Sequence, residues 1–267
     1  MDKVMISVAP VASTDKNIVP DKIAEDVLNC WKAGAAMVHL HVRDALGNLT
    51  TDMSLLEETL RLIRKDSDII IEVSTGGVSN LSIKERCVPL YSDLVEACSL
   101  NVGSTNLGKA VYCNPIDDVE YCIRELLKMK KTPEVEVFEI GHIFAMKELM
   151  EQYDLINPVL FSIVLGHKGE APATPQALAA MIQMIPTEAL WGITQANRRD
   201  FSIIAAALGM GASTVRIGFE DSNYLDRNTV VDTNVPLVEK TTRLLRAMDK
   251  EPMSPTDARK MFGIFSK

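Results

Sequence analysis

Two histidines two residues apart, His39 and His41, are the residues whose types and spacing most directly indicate metal chemistry. The chain has four histidines in 267 residues, and two of them fall in the stretch MVHLHVRD. Side chains two apart on a β-strand point to the same face, about 6 to 7 Å from one another, so both imidazoles can reach one cation. By itself the pair fits equally well with two polar residues packed along a strand.

An arginine and two carboxylates near the other end of the sequence are candidates to complete such a site. The stretch TVRIGFED places Arg216, Glu220 and Asp221 at the end of a β-rich run. A catalytic site with two histidines needs at least one more protein ligand, typically a carboxylate, and an open position for water or substrate. Adjacent acidic residues on a loop are more often only solvated, so this interpretation depends on their reaching the histidines.

A further acidic stretch, PEVEVFE, places Glu134 and Glu136 on one face of another predicted strand. A carboxylate that points into the interior of a protein is costly unless a cation or hydrogen bonds receive it. Arg216 is the candidate partner of Glu136.

Small polar residues and glycines follow two more β-rich runs. In STGG the backbone N–H groups can approach an anion and form a nest for a carboxylate or phosphate, although an ordinary turn has the same composition. The stretch CSLNVGSTN repeats the pattern after the next run. The candidate substrate-binding residues are Ser74, Gly76, Gly77, Ser99, Asn101 and Thr105.

Four other residues are weaker candidates for contact with a substrate. His142 is predicted at the start of a helix and His167 in a loop. Arg198 and Arg199 are predicted to be exposed, where they could clamp a carboxylate or the phosphates of a cofactor, or could simply be surface residues.

Eight β-rich runs alternate with segments of helical periodicity. The runs are VMISVA from Val4, MVHLHV from Met37, IIIEVS from Ile69, LVEACSL from Leu94, VEVFEI from Val135, VLFSIVL from Val159, ALWGIT from Ala189 and STVRIG from Ser213. One intervening helix is predicted to begin with Thr174 as its N-cap and Pro175 as its first residue. The alternation predicts a (β/α)8 TIM barrel, with an open doubly wound sheet as the alternative.

No linker or low-complexity segment divides the chain, so residues 1–267 are predicted to form one domain. The tail from Pro252 to Lys267 is predicted to form a short C-terminal helical extension, capped by a serine and packed outside the barrel. In a closed barrel the eighth strand returns beside the first. Arg216, Glu220 and Asp221 are therefore expected near His39 and His41, at the carboxyl-terminal end of the strands where active sites of this fold lie.

Composition excludes several classes of function. A net charge of -8 argues against a broad basic surface for nucleic acid or anionic lipid. No window approaches the roughly 18 consecutive apolar residues of a membrane span. The five cysteines lack a Cys-x-x-Cys pair, and no signal segment opens the sequence, which favours a reducing cytoplasmic location.

Taken in order, HLHVRD, STGG, PEVEVFE and VRIGFED resemble motifs of the β-keto acid cleavage enzymes, and the resemblance extends almost from end to end. It implies a (β/α)8 barrel that assembles as a homo-oligomer, with a tetramer favoured. It also implies one zinc ion bound by the residues that match the metal ligands, namely His39, His41 and Glu220.

The resemblance implies a reaction in which a β-keto acid and acetyl-CoA give acetoacetate and a new acyl-CoA. Asp221 matches the general base that removes a proton from the methyl group of acetyl-CoA, in a dyad with Arg216. Glu136 matches a glutamate that supports this dyad. Ser74 and Ser99 match hydroxyl positions that contact the keto acid.

One position departs from the family. The named member of lysine fermentation cleaves 3-keto-5-aminohexanoate and recognises its ammonium group through a glutamate on the loop after the first strand. Here the corresponding VAPVASTDKN has no glutamate, and its nearest acid is Asp15. A neutral or acidic β-keto acid is therefore an alternative substrate, for which Arg198 or Arg199 is the candidate partner.

Two other functions compete with this interpretation. A metal-dependent hydrolase of the amidohydrolase kind also carries His-x-His on a barrel strand, but normally on the first strand and with several later histidines. A barrel without catalytic activity that binds a ligand is the second alternative, although such a protein has no need of a positioned base.

Overall fold

Eight parallel strands close into a ring in the computed structural model of the chain, which describes residues 2–264. The strands are β1 (Asp2–Val8), β2 (Met37–Leu40), β3 (Ile70–Ser74), β4 (Ala97–Asn101), β5 (Thr105–Leu107), β6 (Ala110–Tyr112), β7 (Thr132–Val137), β8 (Leu160–Leu165), β9 (Leu190–Gln195), β10 (Thr214–Ile217), β11 (Tyr224–Asp226), β12 (Thr229–Val230) and β13 (Lys250–Pro252). The ring consists of β1 to β4 and β7 to β10, and it closes because β10 pairs in parallel with β1. The predicted barrel is confirmed, and the open-sheet alternative is wrong.

Helices connect the strands of the ring. They are α1 (Pro20–Ala33), α2 (Ser54–Asp66), α3 (Ile83–Arg86), α4 (Ile116–Met129), α5 (Ile140–Gln152), α6 (Pro175–Ile182), α7 (Ser202–Gly209), α8 (Val235–Ala247) and α9 (Pro255–Phe262), with a 3₁₀ turn at Val88–Tyr91. The predicted start of α6 is confirmed, since the Thr174 hydroxyl accepts a hydrogen bond from the Ala177 N–H at 3.2 Å. Gly34 ends α1 in the left-handed conformation with φ of 119°.

The barrel strands alternate between two environments. On β3, Ile71 and Val73 belong to the large apolar core between strands and helices, whereas Glu72 and Ser74 are buried polar residues of the intervening positions. Because successive side chains of a strand point to opposite faces, the apolar residues face the helices and the polar ones face the barrel interior. The chain thus places its main core outside the ring and polar groups within it.

The amino-terminal end of the barrel interior is apolar and is closed by the C-terminal segment. Phe262 and Met253 pack in one cluster with Met5, Met37 and Ile70. The Ser254 hydroxyl caps α9 by accepting a hydrogen bond from a backbone N–H, as predicted. The helical extension therefore exists, but it packs against this end of the barrel interior instead of lying on the outside; residues 265–267 of the predicted tail lie outside the described residues.

The sequence misplaced two strand starts and missed the short strands outside the ring. β4 begins at Ala97 where Leu94 was predicted, and β7 begins at Thr132 where Val135 was predicted. The β5–β6 and β11–β12 hairpins lie on loops that follow barrel strands β4 and β10. Between residues 2 and 264, no helix has both the length and the apolar character to cross a lipid bilayer.

Candidate active site

His39 and His41 meet Glu220 at the carboxyl-terminal end of the barrel. His39 lies on β2, whereas His41 follows the last residue of that strand, so only one of the two is on the strand that was predicted to carry both. The Nε2 atoms of His41 and His39 lie 3.3 and 3.9 Å from the same oxygen, Oε1 of Glu220. One ligand atom from each residue falls within 4.8 Å of the others. The structure thus brings the three predicted metal ligands together.

A tight turn after β10 places Glu220 beside the histidines. Gly218 adopts φ of 135°, and a Cβ atom there would lie 2.2 Å from the carbonyl oxygen of Ala9 at the end of β1. The Glu220 N–H donates to the same Ala9 oxygen at 3.1 Å. Only glycine permits this approach, so closure of the ring between β10 and β1 is what delivers Glu220 to the site.

Glu72 orients His39 from within the barrel. The His39 Nδ1 atom lies 3.0 Å from Glu72 Oε2, and both side chains are buried. This contact fixes the orientation of the ring and turns its other nitrogen, Nε2, towards Glu220. Burial raises the pKa of Glu72 to about 8, with a further contribution from the charge of Glu136.

This donor set fits a zinc ion. Two imidazole nitrogens and one carboxylate oxygen are ligands that Zn²⁺ takes in catalytic sites, which leave a position open. Burial lowers the pKa of His41, which favours the neutral ring that can bind a metal. Burial acts to raise the pKa of Glu220, but His41 and Arg216 outweigh it and hold that pKa well below the usual range. His41 and Glu220 therefore favour the protonation states that coordination requires.

Arg216 is the hub of the charged residues beside this group. Its Nε and Nη2 atoms donate to the two carboxylate oxygens of Asp221 at 3.1 and 2.8 Å. Its Nη1 atom donates to Glu136 Oε1 at 2.8 Å, and Nη2 lies 3.4 Å from Glu220 Oε1. The predicted partnership of Arg216 with Glu136 is confirmed as a contact.

The charges of this network have opposite effects on its members. Burial opposes ionisation of Arg216, yet the neighbouring carboxylates, Asp221 first, hold its pKa well above the usual range. Burial raises the pKa of Asp221, and Arg216 only partly offsets that effect. Asp221 is therefore a stronger base than an exposed aspartate while remaining oriented by two hydrogen bonds.

A cavity of about 690 Å³ opens above these residues. Its lining includes His39, His41, Ser74, Gly77, Glu136, Arg216 and Glu220. Asp221 is buried beside two of the lining residues, since it follows Glu220 in the chain and accepts hydrogen bonds from Arg216, but it is not itself among the residues that line the cavity.

The predicted substrate-binding residues divide between the cavity and the layer beneath it. Ser74 and Gly77 line the cavity. The Ser74 hydroxyl lies 3.3 Å from the Ser99 hydroxyl. The Ser99 hydroxyl also accepts a hydrogen bond from Asn101 Nδ2 at 3.4 Å. Ser99 and Asn101 are buried. Thr105 lies on β5, paired with Tyr112 of β6, and not in the loop where it was predicted.

The predicted anion nest in STGG is occupied by the protein itself. The Gly76 N–H donates to the Ser74 hydroxyl at 3.1 Å, and the Gly77 N–H donates to the Tyr112 hydroxyl at 3.1 Å. A Cβ atom on Gly76 would lie 1.9 Å from that Tyr112 oxygen. The glycines therefore allow close packing of the hairpin, and Ser74 is the group of this loop that faces the cavity.

A family model described as beta-keto acid cleavage enzyme matches residues 3–264. The chain belongs to this family.

Two relatives support the same assignment, and one solved structure has the same fold. A 3-keto-5-aminohexanoate cleavage enzyme of Fusobacterium nucleatum subsp. nucleatum is 31% identical over 273 residues, with 99% of each chain covered. A 3-dehydrocarnitine:acetyl-CoA trimethylamine transferase of Rhizobium meliloti is 28% identical over 91% of this chain and 88% of that protein. The apo structure of ObcA matches the fold of 93% of this chain with a TM-score of 0.80 at 19% identity, and the chain spans 65% of its length.

For this member of the β-keto acid cleavage enzyme family, the predicted exposure of Arg198 is wrong. Arg198 is 1% exposed, and its guanidinium donates to the backbone oxygens of Tyr224 and Ser222 at 2.6 and 3.4 Å. Arg199 stacks on the Tyr224 ring at 3.9 Å. These arginines hold the loop after β10 and lie outside the set of residues that line the cavity.

The remaining weaker candidates fall in different places. His142 lies in the first turn of α5, as predicted, and its Nδ1 atom accepts from the Phe138 N–H at 3.3 Å. His167 lies in a loop and lines the cavity. Asp15 accepts a hydrogen bond from the Ala12 N–H at 3.0 Å and lines a separate cleft.

Sequence reasoning missed the residues that form the walls of the cavity. One wall includes Ser13, Lys16, Arg43 and Asn48 from the loops after β1 and β2, and the other includes Leu107, Tyr112, Phe138 and Val164. The signal that could have found Arg43 and Lys16 is position alone, because both follow predicted strands at the active end of the barrel. Glu72 carried a stronger signal, since it is an acidic residue inside an apolar run.

Proposed function

We propose that this protein catalyses the zinc-dependent, acetyl-CoA-dependent cleavage of a β-keto acid, with acetoacetate and a new acyl-CoA as products. The acyl group comes from the carbonyl carbon and side chain of the keto acid, and the remaining two carbons of the acid join the acetyl group as acetoacetate. No water is consumed. The observation that carries the proposal is the bidentate contact of Arg216 with Asp221 at the edge of a cavity that His39, His41 and Glu220 line.

His39, His41 and Glu220 would hold the zinc ion. Zinc bound there supplies a Lewis acid that polarises the ketone of the substrate and stabilises charge on its oxygen. Glu72 keeps the His39 ring in the orientation that binding needs.

Asp221 would act as the general base on C2 of the β-keto acid, the carbon between the ketone and the carboxylate. A proton taken from the methyl group of acetyl-CoA, as expected from the resemblance, would join that methyl group to the ketone and could not give acetoacetate. Because the proton is on carbon, the base must be oriented and shielded from water. The two hydrogen bonds from Arg216 orient the carboxylate, and burial raises its pKa. The C2 carbanion would bond to the thioester carbonyl carbon of acetyl-CoA, and CoA would move within the adduct from that carbon to C3 of the keto acid. The C2–C3 bond then breaks, and the proton held by Asp221 returns to C2, which gives acetoacetate and the new acyl-CoA.

Glu136 and Ser74 would support this chemistry from two sides. Glu136 holds the Nη1 end of Arg216, which fixes the plane of the guanidinium against Asp221. Ser74 presents a hydroxyl to the cavity, where it can donate to the carboxylate of the keto acid. Ser99 and Asn101 position that hydroxyl, and Gly76, Gly77 and Thr105 place the Tyr112 hairpin over the loop.

We also propose that residues 1–267 form one domain that assembles as a homo-oligomer, with a tetramer favoured, and works in the cytoplasm. Support for one domain comes from the pairing of β1 with both β10 and β13, which ties the two ends of the chain together. Support for a reducing compartment comes from the cysteines, which are all free.

The test is an assay with zinc-loaded protein, a panel of β-keto acids and acetyl-CoA labelled in its methyl group. We expect consumption of one keto acid to require acetyl-CoA, with the label recovered in acetoacetate and absent from the new acyl-CoA. Consumption without acetyl-CoA would indicate a hydrolase, and the proposed function would be wrong. Asp66→Asn, at the exposed end of α2, is the control for the chemistry of aspartate replacement and should keep the wild-type rate.

A further inference from the structure

Two hydrogen bonds from the backbone hold the turn that carries Glu220. The first, already described, joins the Glu220 N–H to the Ala9 carbonyl at the end of β1. In the second, the Phe219 N–H donates to the Asn234 Oδ1 atom at 2.9 Å. The acceptor of this second bond is a side chain at the start of α8. Whatever fixes the Asn234 amide therefore also fixes the backbone directly before Glu220.

Asn234 occupies the N-cap position of α8 but its side chain does not cap the helix. An asparagine in this position normally accepts a hydrogen bond from a backbone N–H in the first turn of its own helix. Here the side chain makes no such bond, and the helix uses only the Asn234 backbone carbonyl, which accepts from the N–H groups of Leu237 and Val238. The side chain is 0% exposed, so its amide must be satisfied by other elements of the protein.

Three elements besides α8 meet at the Asn234 amide. Its Oδ1 atom accepts from Phe219 after β10, and its Nδ2 atom donates to the Pro10 carbonyl after β1 at 3.1 Å. The Nδ2 atom also donates to Asp26 Oδ2 of α1 at 2.6 Å. Rotation of the amide by half a turn would set its oxygen against two acceptors and its NH2 group against a donor, so only one orientation satisfies all three contacts. The amide thus joins the loops after β1 and β10.

Asp26 selects this orientation of the amide. Besides the contact with Nδ2, its Oδ1 atom accepts from the Asn234 backbone N–H at 3.1 Å. The carboxylate therefore holds both the side chain and the backbone of Asn234. Asp26 lines the same cleft as Asp15 and is not among the residues that line the cavity. Its hydrogen bonds to Asn234 are the contacts that link it to the turn of Glu220.

We propose that Asn234 is a positioning residue for the metal ligand Glu220, and that Asp26 orients its amide for this role. The inference rests on the proposed function, because it concerns zinc binding by the same three ligands. The next residue, Asp221, has a backbone contact of its own, since its carbonyl accepts from the Asn197 N–H at 2.9 Å. The Asn234 amide therefore acts on the metal ligand more than on the base.

The first experiment measures the dissociation constant of zinc by competition with a chelator. Asn234→Ala should weaken zinc binding by roughly 10- to 100-fold, the usual effect of removing a residue that orients a metal ligand. The matched control is Asn114→Ala, which should keep the parent affinity. Asn114 is a buried asparagine between β6 and α4 whose amide contacts Gly103 and Arg86. Equal losses in the two variants, or parent affinity in a folded Asn234→Ala, would overturn the inference.

The second experiment exchanges the two side chains, and it does not depend on whether Asn234→Ala folds. Asn234→Asp places two carboxylates in contact and removes the donor to Pro10, so it should also weaken zinc binding. The double variant Asp26→Asn/Asn234→Asp restores an amide beside a carboxylate and keeps an acceptor for the Phe219 N–H. It should regain part of the lost affinity. An exchange that restores the unfolding midpoint but not the affinity would mean that the pair only stabilises the fold, and the inference would be wrong.

The third experiment examines the turn without zinc or substrate, by hydrogen exchange of the metal-free protein. In Asp26→Ala the Phe219 and Glu220 N–H groups should exchange faster than in the parent, whereas the Ala196 N–H, which donates to Leu165, should keep its rate. Faster exchange at all of these N–H groups would indicate general destabilisation and contradict the inference.

Failure of this inference is distinguishable from failure of the proposed function. Variants of Asn234 and Asp26 that bind zinc as tightly as an active parent would reject the positioning role and leave the proposed function intact. A parent protein that binds no zinc, or that consumes keto acids without acetyl-CoA, would reject the proposed function itself.

Discussion

The amino-terminal end of the barrel interior holds apolar residues, whereas two positions farther along the same strands the interior holds ionisable ones. On β2 the change is from Met37 to His39, and on β3 it is from Ile70 to Glu72. The apolar end is covered by Phe262 of α9, while the other end opens into the cavity. Within a single strand, one end therefore stabilises the barrel and the other carries the chemistry.

The difference shows how the protein tolerates charge inside a barrel. Arg216 contacts Glu136, Glu220 and Asp221, so its charge is matched at short range. Within residues 2–264, Glu72 and Glu134 form no ion pair with an arginine or a lysine, and burial raises the pKa of Glu134 well above its usual range. The charged end is thus costly to fold, and its stability depends on the apolar cluster beneath it and the core outside the ring.

The largest expected effect comes from removing a metal ligand at the charged end. His39→Ala or His41→Ala should lose zinc and activity together, because the remaining donors leave too few ligands for a catalytic site. Zinc content per chain and acetoacetate formation are the measurements. The control is His142→Ala, which removes a buried imidazole that is not one of the three metal ligands and should keep its zinc. Loss of zinc in this variant as well would mean that a folding defect, and not the loss of a ligand, explains the result.

Next in size is the removal of the base while the metal remains. Asp221→Asn should keep one zinc per chain and lose turnover by roughly 10²- to 10⁴-fold, the usual contribution of a positioned general base. Asparagine has nearly the size of aspartate, so the contact with Arg216 is weakened but not lost. Turnover at the wild-type rate would show that another group removes the proton.

A smaller effect is expected beneath the ligands. Glu72→Gln should weaken zinc binding by roughly 10- to 100-fold, because the carboxyl group that orients His39 is replaced by an amide. Glu170→Gln is the control, because Glu170 is another partly buried carboxyl group whose pKa is raised to about 8 and it lies on the loop after β8, whereas Glu134 is hydrogen-bonded to Glu72 itself. Competition with a chelator measures both affinities, and equal losses in the two variants would contradict a specific role for Glu72.

The pH dependence of stability provides a test of the unmatched carboxyl group. The pKa of Glu134 is higher in the folded protein than in the unfolded chain. Above about pH 4.3 the unfolded chain therefore releases a proton that the folded protein keeps. The free energy of unfolding falls as pH rises through this range. Glu134→Gln should remove part of this decline. The free energy of unfolding of the variant, compared with that of the metal-free parent, should therefore be more favourable at pH 7 than at pH 4. Urea unfolding at both pH values measures this difference. An equal decline in the parent and the variant would mean that another ionisable group causes it.

The smallest effect on the site is expected from the apolar end. Phe262→Ala should lower the free energy of unfolding by about 3 to 5 kcal/mol through the cavity that it creates. Zinc content and kcat at temperatures below the unfolding transition should stay at parent values. Loss of zinc in the folded variant would show that the two ends of the interior are coupled.

The fold was predictable because its signal is local. Eight β-rich runs separated by helical segments identify the barrel, and the Thr174 and Ser254 caps mark helices that the structure contains. Strand ends were less predictable: His41 lies past the end of β2, since hydrogen bonding to neighbouring strands ends there. The short hairpins escaped prediction because their strands have two or three residues and follow polar loops.

The candidate site was predictable in membership and less so in detail. The residues named as ligands, and Arg216 with its partners, converge as expected. Arg198 could not be identified as buried, because its burial depends on the backbone oxygens of a loop more than twenty residues away. The Gly77 N–H could not be recognised as occupied from the sequence, because its acceptor, the Tyr112 hydroxyl, lies 35 positions farther along the chain.

By itself, the sequence determined the alternation of strands and helices and the chemical types of the residues at the strand ends, since both depend on neighbours within a few positions. Only the tertiary structure decided which of these residues meet. His41 and Glu220 are 179 positions apart, and they contact each other because β10 closes the ring against β1. Contact between the loops after β1 and β2 likewise places Lys16 and Arg43 on the lining of the cavity, whereas Asp15 lines a separate cleft. Such contacts follow from packing in three dimensions that no local pattern encodes.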